Sequence, residues 1–530
     1  CAPILITGRL NQVTNGPEGL SLCWREGYKW REKIVDRGQA MDARKLVELA
    51  NDGFPEPSDN ARDLVAYLRR FEAANLLHLP VAHVSGSMGW QGPARRDGFL
   101  WGSAHIQPTG EIVRCPQLCD STRQWRDDVI AFRATSVGDE QIVAGYHSQG
   151  TREEWEEAVR PAMAHPRARL ALYASVATPL LAILGCPNFI IDFAHPTSVG
   201  KTTLLRIAAS VWGDPTLESP TAAMWTWDVT RVFIERASAV IGGLPLILDD
   251  TKRARKTEMI SDLIYTVASG RGRGRGSVQG IAETAIWSTI LMSSGEEPAT
   301  SYTKEGGAKT RVLEITGMPF GATTPALRKM VEDVNRGIWF HYGHIGPDFV
   351  QWLVRNRARE EQFVSLYRKR LEIYAGLTQI PEAGRLAQYA AAVYVAGVLL
   401  HEALSLSWGF EDPFVTLWET TAEEARNASG YAQALQLVES WCYSNRERFI
   451  GQSTLKPNQG WLGRWDAGET DQWIGIFPDK LREMLMRAGY NNVDGYLRGW
   501  RDNDWIKTDT GRKRYTKRTR LPAADGQGPL

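Results

Sequence analysis

Nine residues, His195-Pro196-Thr197-Ser198-Val199-Gly200-Lys201-Thr202-Thr203, have the types and spacing of a loop that wraps a polyphosphate. In such a loop the amides and the positive end of the following helix face an anion. Lys201 then reaches the β and γ phosphates, and the Thr202 hydroxyl is a ligand for Mg²⁺. The full pattern is G-x-x-x-x-G-K followed by Ser or Thr, and His195 stands where the first glycine is usual. A Cβ there narrows access to positive φ, so the loop entry is expected to differ while Gly200, Lys201 and Thr202 keep their roles. A chance Gly-Lys-Thr at a helix start is the alternative. A second motif answers the first: Leu246-Ile247-Leu248-Asp249-Asp250 is an apolar run ending in paired carboxylates. Asp249 would hold the Mg²⁺ water shell, and Asp250 would orient or deprotonate an attacking water. Glutamate is more usual in the second place, and Asp250 is one methylene shorter. Further on, Ser293 and Ser294 follow an apolar run over 285–292. There a hydroxyl could touch the γ phosphate or the water, or the serines could simply begin a turn before Gly295.

These groups act together only on a scaffold that brings them together. Phe189-Ile190-Ile191-Asp192-Phe193 reads as a buried strand before the loop, and residues 203–212 as a helix stopped by Gly213. Residues 226–239 predict a helix packed on the strand that ends in Asp249. Met259, Ile260, Leu263, Ile264 and Val267 share one face of the next helix, with Gly270 as its stop. Arg311-Val312-Leu313-Glu314-Ile315 is the last strand, with an arginine at its mouth. The expected fold class is α/β, with a five-stranded nucleotide-binding sheet within residues 151–322.

On either side the pattern changes. Residues 1–150 predict a mixed α+β accessory or oligomerisation domain. It holds an amphipathic helix over 59–73, with Leu64, Val65, Leu68 and Phe71 on one face, and a hairpin of 98–102 with 111–113 around Pro108-Thr109-Gly110. Residues 323–430 are largely helical and suit a lid over the nucleotide. Within 431–530, helices around Leu435, Val438 and Cys442, over 478–488 and over 493–502 precede a ribbon of 505–508 with 514–516. Three helices and a terminal ribbon are the order of a winged helix.

The chain has 530 residues, 43% hydrophobic and 23% charged, which bounds it at three or four ordinary domains of roughly 150 residues. No apolar run approaches the roughly 20 residues of a membrane span, so no membrane partner and a cytoplasmic place are expected. The first residue is Cys1, so a preceding segment is expected too. Six cysteines make no disulfide framework. Cys115 and Cys119 form C-x₃-C with His105 nearby, and a zinc site is the alternative to two ordinary thiols.

With 62 Lys plus Arg against 61 Asp plus Glu, the chain has no excess charge to attract an acidic partner, and the positive charge is clustered instead. Lys252-Arg253-Ala254-Arg255-Lys256 follows the carboxylates. Over 270–277 glycine alternates with Arg271, Arg273 and Arg275. That segment is either a solvated linker or a flexible loop whose guanidinium groups hold backbone phosphates. The terminal ribbon carries Arg512, Lys513, Arg514, Lys517, Arg518 and Arg520 with no acidic residue among them. It suits duplex DNA, or it is a solvated tail.

Taken together, the phosphate loop from Pro196 to Thr203, the Asp249-Asp250 strand, Ser293-Ser294-Gly295-Glu296 and His341-Tyr342-Gly343 with Phe349 resemble the MCM-like replicative helicases of phages and mobile elements, the Cch type. Gly89-Trp90 followed by Phe99-Leu100-Trp101-Gly102 is similar to that family's N-terminal domain. The resemblance implies a homo-hexameric AAA+ ring with ATP and Mg²⁺ between subunits and Arg311 as a finger for the neighbour's γ phosphate. It also implies a single DNA strand in the channel, and the placement of the Arg-Gly segment in such an ATPase makes Arg271, Arg273 and Arg275 the expected grip on it. The other function class is a nucleotide-switched ring that remodels a protein partner without unwinding DNA. A fused primase lacks a polymerising carboxylate cluster within 1–150.

Overall fold

The computed structural model describes residues 3–13, 18–54, 58–115, 126–196, 200–255, 257–274, 276–277, 280–281, 284–302, 310–377, 381–427, 430–453, 457–467, 472–488, 490, 493–502, 504–508 and 516. They fall into two compact units: Cys1–Tyr302 with Arg311–Thr421, and Thr303–Thr310 with Ala422–Leu530.

In the first unit a five-stranded sheet runs in the order Trp225–Thr226, Leu246–Asp249, Ile290–Gly295, Phe189–Ala194, Val312–Thr316, with every pair parallel. Parallel strands need long crossovers that cover both faces, which is why they read as unbroken apolar runs. Helices Lys201–Ser210, Arg231–Ile241 and Thr257–Ser269 lie in these crossovers. The Arg231–Ile241 helix starts later than the expected 226 because Thr226 belongs to the edge strand. Thr230 caps it instead, accepting the Phe233 N–H at 3.2 Å. The strand expected over 285–292 is displaced to Ile290–Gly295. Trp287 is the reason: its backbone N–H donates to the Gly270 carbonyl at 2.9 Å and its indole to the Val267 carbonyl at 3.1 Å. The chain before the strand is thereby held in antiparallel contact with the Arg-Gly segment. Arg271 lies opposite Ile286, Gly276 opposite Ile281 and Ser277 opposite Gly280. That segment is one arm of a β-hairpin.

Helices pack on this sheet from several parts of the sequence. In Pro166–Ala177, Ser175 Oγ donates to the Ala208 carbonyl at 2.7 Å and accepts from the Trp212 indole at 3.1 Å. In Pro381–Leu404, the Tyr389 ring stacks on Phe189 at 4.5 Å, and His401 Nε2 is 2.9 Å from the Tyr173 hydroxyl. Contrary to the sequence expectation, Pro166–Leu184 and Ala383–Leu404 are long and apolar enough to cross a membrane. They are interior segments, most of whose residues are buried, and continuous apolarity is the normal pattern there.

The first unit also holds a mixed sheet ordered Lys29–Asp36, Gly19–Glu26, Ile4–Gln12, Val81–Ser85, Ile130–Phe132. The expected amphipathic helix is Ala61–Asn75, and Leu64 and Leu68 are buried beneath this sheet with Leu20, Leu22 and Trp24. The expected hairpin proves to be a four-stranded antiparallel sheet, Gly89–Trp90, Phe99–Trp101, Ala104–Ile106 and Ile112–Arg114. Gly102, at φ 55°, makes a two-residue turn that admits a strand between the two foreseen. This sheet is fastened to the phosphate-loop part of the unit. The Trp101 indole donates to the Trp212 carbonyl and the Trp90 indole to the Pro179 carbonyl, both at 2.8 Å.

The second unit contains helices Gly430–Ser444, Pro478–Arg487 and Val493–Asp502 around a core that includes Val438, Phe449, Trp465, Leu485 and Trp500. Its strands, Phe449–Ile450, Gly463–Ala467 and Gln472–Ile476, lie between the first and second helices. Residues 505–508 are not a strand, and 509–515 lie outside the described residues, so the terminal ribbon is not among the described elements.

Candidate functional site

The carboxyl ends of three neighbouring strands converge on the start of the Lys201–Ser210 helix. Gly200 caps that helix at φ 98°, in the left-handed region, and a Cβ there would lie 2.6 Å from the Phe320 ring. Glycine is required twice over, by conformation and by space. Thr202 Oγ1 donates to Asp249 Oδ2 at 2.8 Å, and Ser294 Oγ donates to Asp249 Oδ1 at 2.5 Å. Ser294 Oγ also accepts from the Asp250 amide at 3.2 Å, so one serine joins the two strand ends. Lys201 Nζ donates to the His195 carbonyl across the loop entry, and the His195 amide donates to the Gly295 carbonyl at 3.1 Å. Burial lowers the Lys201 pKa against the opposing pull of Glu296, Asp250 and Asp249, in that order. Thr202 and Asp249 present oxygen donors side by side, the ligand type that Mg²⁺ takes from proteins alongside water.

The structure separates other groups that the sequence puts together. Ser293 and Ser294 lie within one strand, so their side chains point to opposite faces. Only Ser294 reaches Asp249, whereas Ser293 Oγ accepts from the Trp227 indole at 3.1 Å. Thr203 Oγ1 accepts from Asn335 Nδ2 at 3.0 Å, which turns it toward the Pro325–Phe340 helix. Asp250 has φ 63°, and its carboxylate accepts from the Lys252 amide at 3.2 Å and lies 3.5 Å from Arg253 Nε. Pro196 is exposed at the loop entry, and Thr197, Ser198 and Val199 lie outside the described residues.

Arg311 is at the other end of the sheet. Its carbonyl accepts from the Ile190 amide at 2.9 Å, and its guanidinium lies 5.2 Å from the Tyr265 ring centroid. Arg271 and Arg273 are exposed on the hairpin arm. Arg275, Arg512, Lys513, Arg514, Lys517 and Arg518 lie outside the described residues.

Several supporting residues carry no motif. Asn188 Nδ2 donates to the Val267 and Trp287 carbonyls at 3.3 Å, and its Oδ1 accepts from the Thr289 amide at 2.9 Å. It fixes the hairpin base to the strand that leads into the phosphate loop. Asp192, fully buried within that strand, accepts from the Ala299 amide at 2.7 Å. Burial raises its pKa to about 6, opposed by that bond, by Ser293 and by Lys201. Among the described residues, the histidine of the zinc alternative is engaged elsewhere. His105 Nε2 is 2.7 Å from the Asp97 carbonyl and its Nδ1 accepts from the Ile130 amide at 3.2 Å. Buried Cys115 bonds the Ile130 carbonyl, and Cys119 lies outside the described residues.

Residues 1–287, more than half of the chain, match the family described as Domain of unknown function (DUF927). The chain belongs to the DUF927 family. Residues 430–528 match a second family, the Cch helix turn helix domain. A solved structure, "SCCmec type IV Cch - active helicase", is similar with a TM-score of 0.72 at 17% identity, covering 96% of this chain and 91% of that chain. The Cch resemblance read from the motifs is thus met in the fold of this DUF927 protein. No curated protein matches the chain.

Proposed function

We propose that this protein is an ATP-driven DNA helicase or translocase with a P-loop AAA+ core. The observation that carries the reading is the convergence of Thr202, Asp249 and Ser294 at the mouth of a parallel sheet, directly beside Lys201. In this reading Lys201 and the loop from Pro196 to Thr203 hold the phosphates, and Thr202 with Asp249 holds Mg²⁺. Bound there, the ion would spread the negative charge of the γ phosphate. Ser294 fixes the rotamer of Asp249 and joins it to the turn that carries Asp250. Trp227 holds Ser293 on the far face.

The rest of the reading follows from what surrounds the site. Residues 151–322 form the ATPase core, with 1–150, a helical lid of 323–430 and a winged helix of 431–530 attached. Arg271, Arg273 and Arg275 grip a single strand in the channel of a homo-hexameric ring. Arg311 serves the neighbouring subunit's ATP, and the basic terminal segment lies on duplex DNA. The similarity to a Cch helicase supports this use of the fold, and a cytoplasmic place follows from a DNA substrate. The test is DNA-stimulated ATP hydrolysis together with strand displacement by the full chain. ATP turnover that DNA leaves unchanged, with no displacement at any salt concentration, would favour the ring that remodels a protein partner.

A further inference from the structure

The second carboxylate of the Asp249-Asp250 pair is placed awkwardly for the task its position suggests. Its backbone is in the left-handed region, and its side chain closes a tight turn onto the Lys252 amide, with Arg253 beside it. A carboxylate folded back onto its own turn in this way is short of reach. Another carboxylate stands close by. Glu296 follows Ser294-Gly295, the stretch that bonds Asp249 through the serine and the phosphate-loop entry through the Gly295 carbonyl. Gly295 itself cannot carry a side chain, because a Cβ would lie 2.3 Å from Thr251 Oγ1. The Ser294-Gly295-Glu296 turn is therefore locked against both the carboxylate turn and the loop. Among the acidic groups around Lys201, Glu296 acts on its ammonium most strongly, ahead of Asp250 and Asp249. Glu296 is only partly exposed, and its carboxylate is held by the Lys252 ammonium.

From this geometry we propose that Glu296 orients the attacking water and accepts its proton during hydrolysis of the γ phosphate. The inference rests on the ATPase reading of the site. In the step, the water oxygen bonds to the γ phosphorus while the bond from phosphorus to the bridging oxygen breaks. The electron pair of the broken bond leaves with the diphosphate, and the proton of the water goes to the Glu296 carboxylate. Glutamate supplies the methylene that Asp250 lacks, from a neighbouring strand end in place of the next residue in sequence. Lys252 positions Glu296 by its ion pair. That hydrogen bond, and with it the charge of Lys201, holds the Glu296 carboxyl below its usual range. The other charged and titratable groups acting on this pair are Lys201 on Glu296, and Asp250, itself beside Arg253, and Tyr302 on Lys252.

The experiment uses the full chain with ATP and DNA, and compares Glu296→Gln, Glu296→Asp and Asp250→Asn. Glu296→Gln is expected to lower kcat by about 10² to 10⁴-fold, the usual range for a positioned acid-base group, with ATP affinity changed less than about threefold. Glu296→Asp should fall between it and the parent, and Asp250→Asn should lose less than Glu296→Gln. Lys252→Met should move the acidic limb of the kcat profile to higher pH, because the partner that keeps Glu296 ionised is gone. A purely structural ion pair would leave that limb in place. A parent chain that turns over ATP while Glu296→Gln keeps its rate overturns this role alone. So does a deeper loss in Asp250→Asn than in Glu296→Gln. A parent that hydrolyses no ATP under any DNA condition overturns the ATPase reading and this role with it.

Discussion

At the carboxyl ends of the parallel strands, Thr202 and Ser294 each donate to Asp249 within 2.8 Å, and Lys201 is 8% exposed. At the amino ends Arg271 and Arg273 stand in solvent on a hairpin, and Arg311 lies over Tyr265. The strand between the two levels runs from Asn188 to His195, roughly 23 Å at about 3.3 Å per residue. Groups at the amino ends therefore cannot touch a phosphate held by the loop of the same chain. Inward-facing hydrogen bonds suit a ligand that must be gripped in one geometry, whereas solvated guanidinium groups suit a partner that comes and goes. In the proposed reading the exposed hairpin arginines act on DNA, and Arg311, half-buried against Tyr265, acts on a second copy. Asn188 ties the hairpin base to the strand that ends in the loop, so the two ends share one rigid connection.

The sharpest way to break this comparison is Arg311. If it completes a neighbour's site, Arg311→Ala should cost about 10³ to 10⁵ in turnover, the range seen for arginine fingers. Mixing it with Lys201→Ala subunits should restore part of the activity, because a hybrid interface joins an intact loop to an intact finger. No recovery at any ratio would make Arg311 a local partner of Tyr265. Next in size is Lys201→Ala. Removing one fixed donor from a charge-stabilising site costs about 10² to 10³ in turnover, and the thermal midpoint should hardly move. Normal hydrolysis by that variant would remove the phosphate-loop reading. Smaller again is the hairpin: replacing Arg271, Arg273 and Arg275 by alanine should abolish DNA stimulation and strand displacement in a chain that still binds ATP. Unwinding at the parent rate would make the hairpin a spacer and move the grip to Lys252, Arg253, Arg255 or Lys256.

The carboxyl end was the more legible of the two because its chemistry is carried by residue types at fixed spacing. Lys201, Thr202 and Asp249 were read from the sequence, and the structure brings Thr202 to Asp249. Ser293 and Ser294 could not be told apart, since choosing between them needs the strand register. That register depends on Trp287, whose apolar neighbours look like more strand. Glu296 stood in a quoted motif, but its place beside Lys201 arises from strand adjacency and so gave it no role in the sequence. At the amino end the hairpin went unseen, since alternating glycine and arginine has no strand propensity. The pairing comes from 284–287, on the far side of the turn. The four-stranded sheet around Gly102 and the strands between the first two helices of the second unit were missed for a related reason. Segments of two to five residues give too few alternations to register a period of two.

Between the two ends lies Asp192, and its titration offers the mildest test of how the loop strand is held. Its carboxyl is fully buried and its pKa is raised from 3.8 to about 6 in the folded chain. The folded state therefore binds this proton more tightly than the unfolded state does. The stability contributed by that proton is complete below about pH 4 and is lost as pH rises through about 6. Two pKa units correspond to about 3 kcal/mol. Asn at this position has no such dependence and still offers an oxygen to the Ala299 amide. Asp192→Asn should thus gain on the parent by up to about 3 kcal/mol as the pH is raised from 4 to 7, with little difference at the acidic limit. Unfolding of the first unit, followed in denaturant across that range, measures the difference. If it is the same at pH 4 and pH 7, Asp192 stays in one protonation state and its bond to Ala299 is fixed across the range. If the gain appears and Lys201-dependent turnover is unchanged, the buried carboxyl holds the strand without tuning the phosphate site.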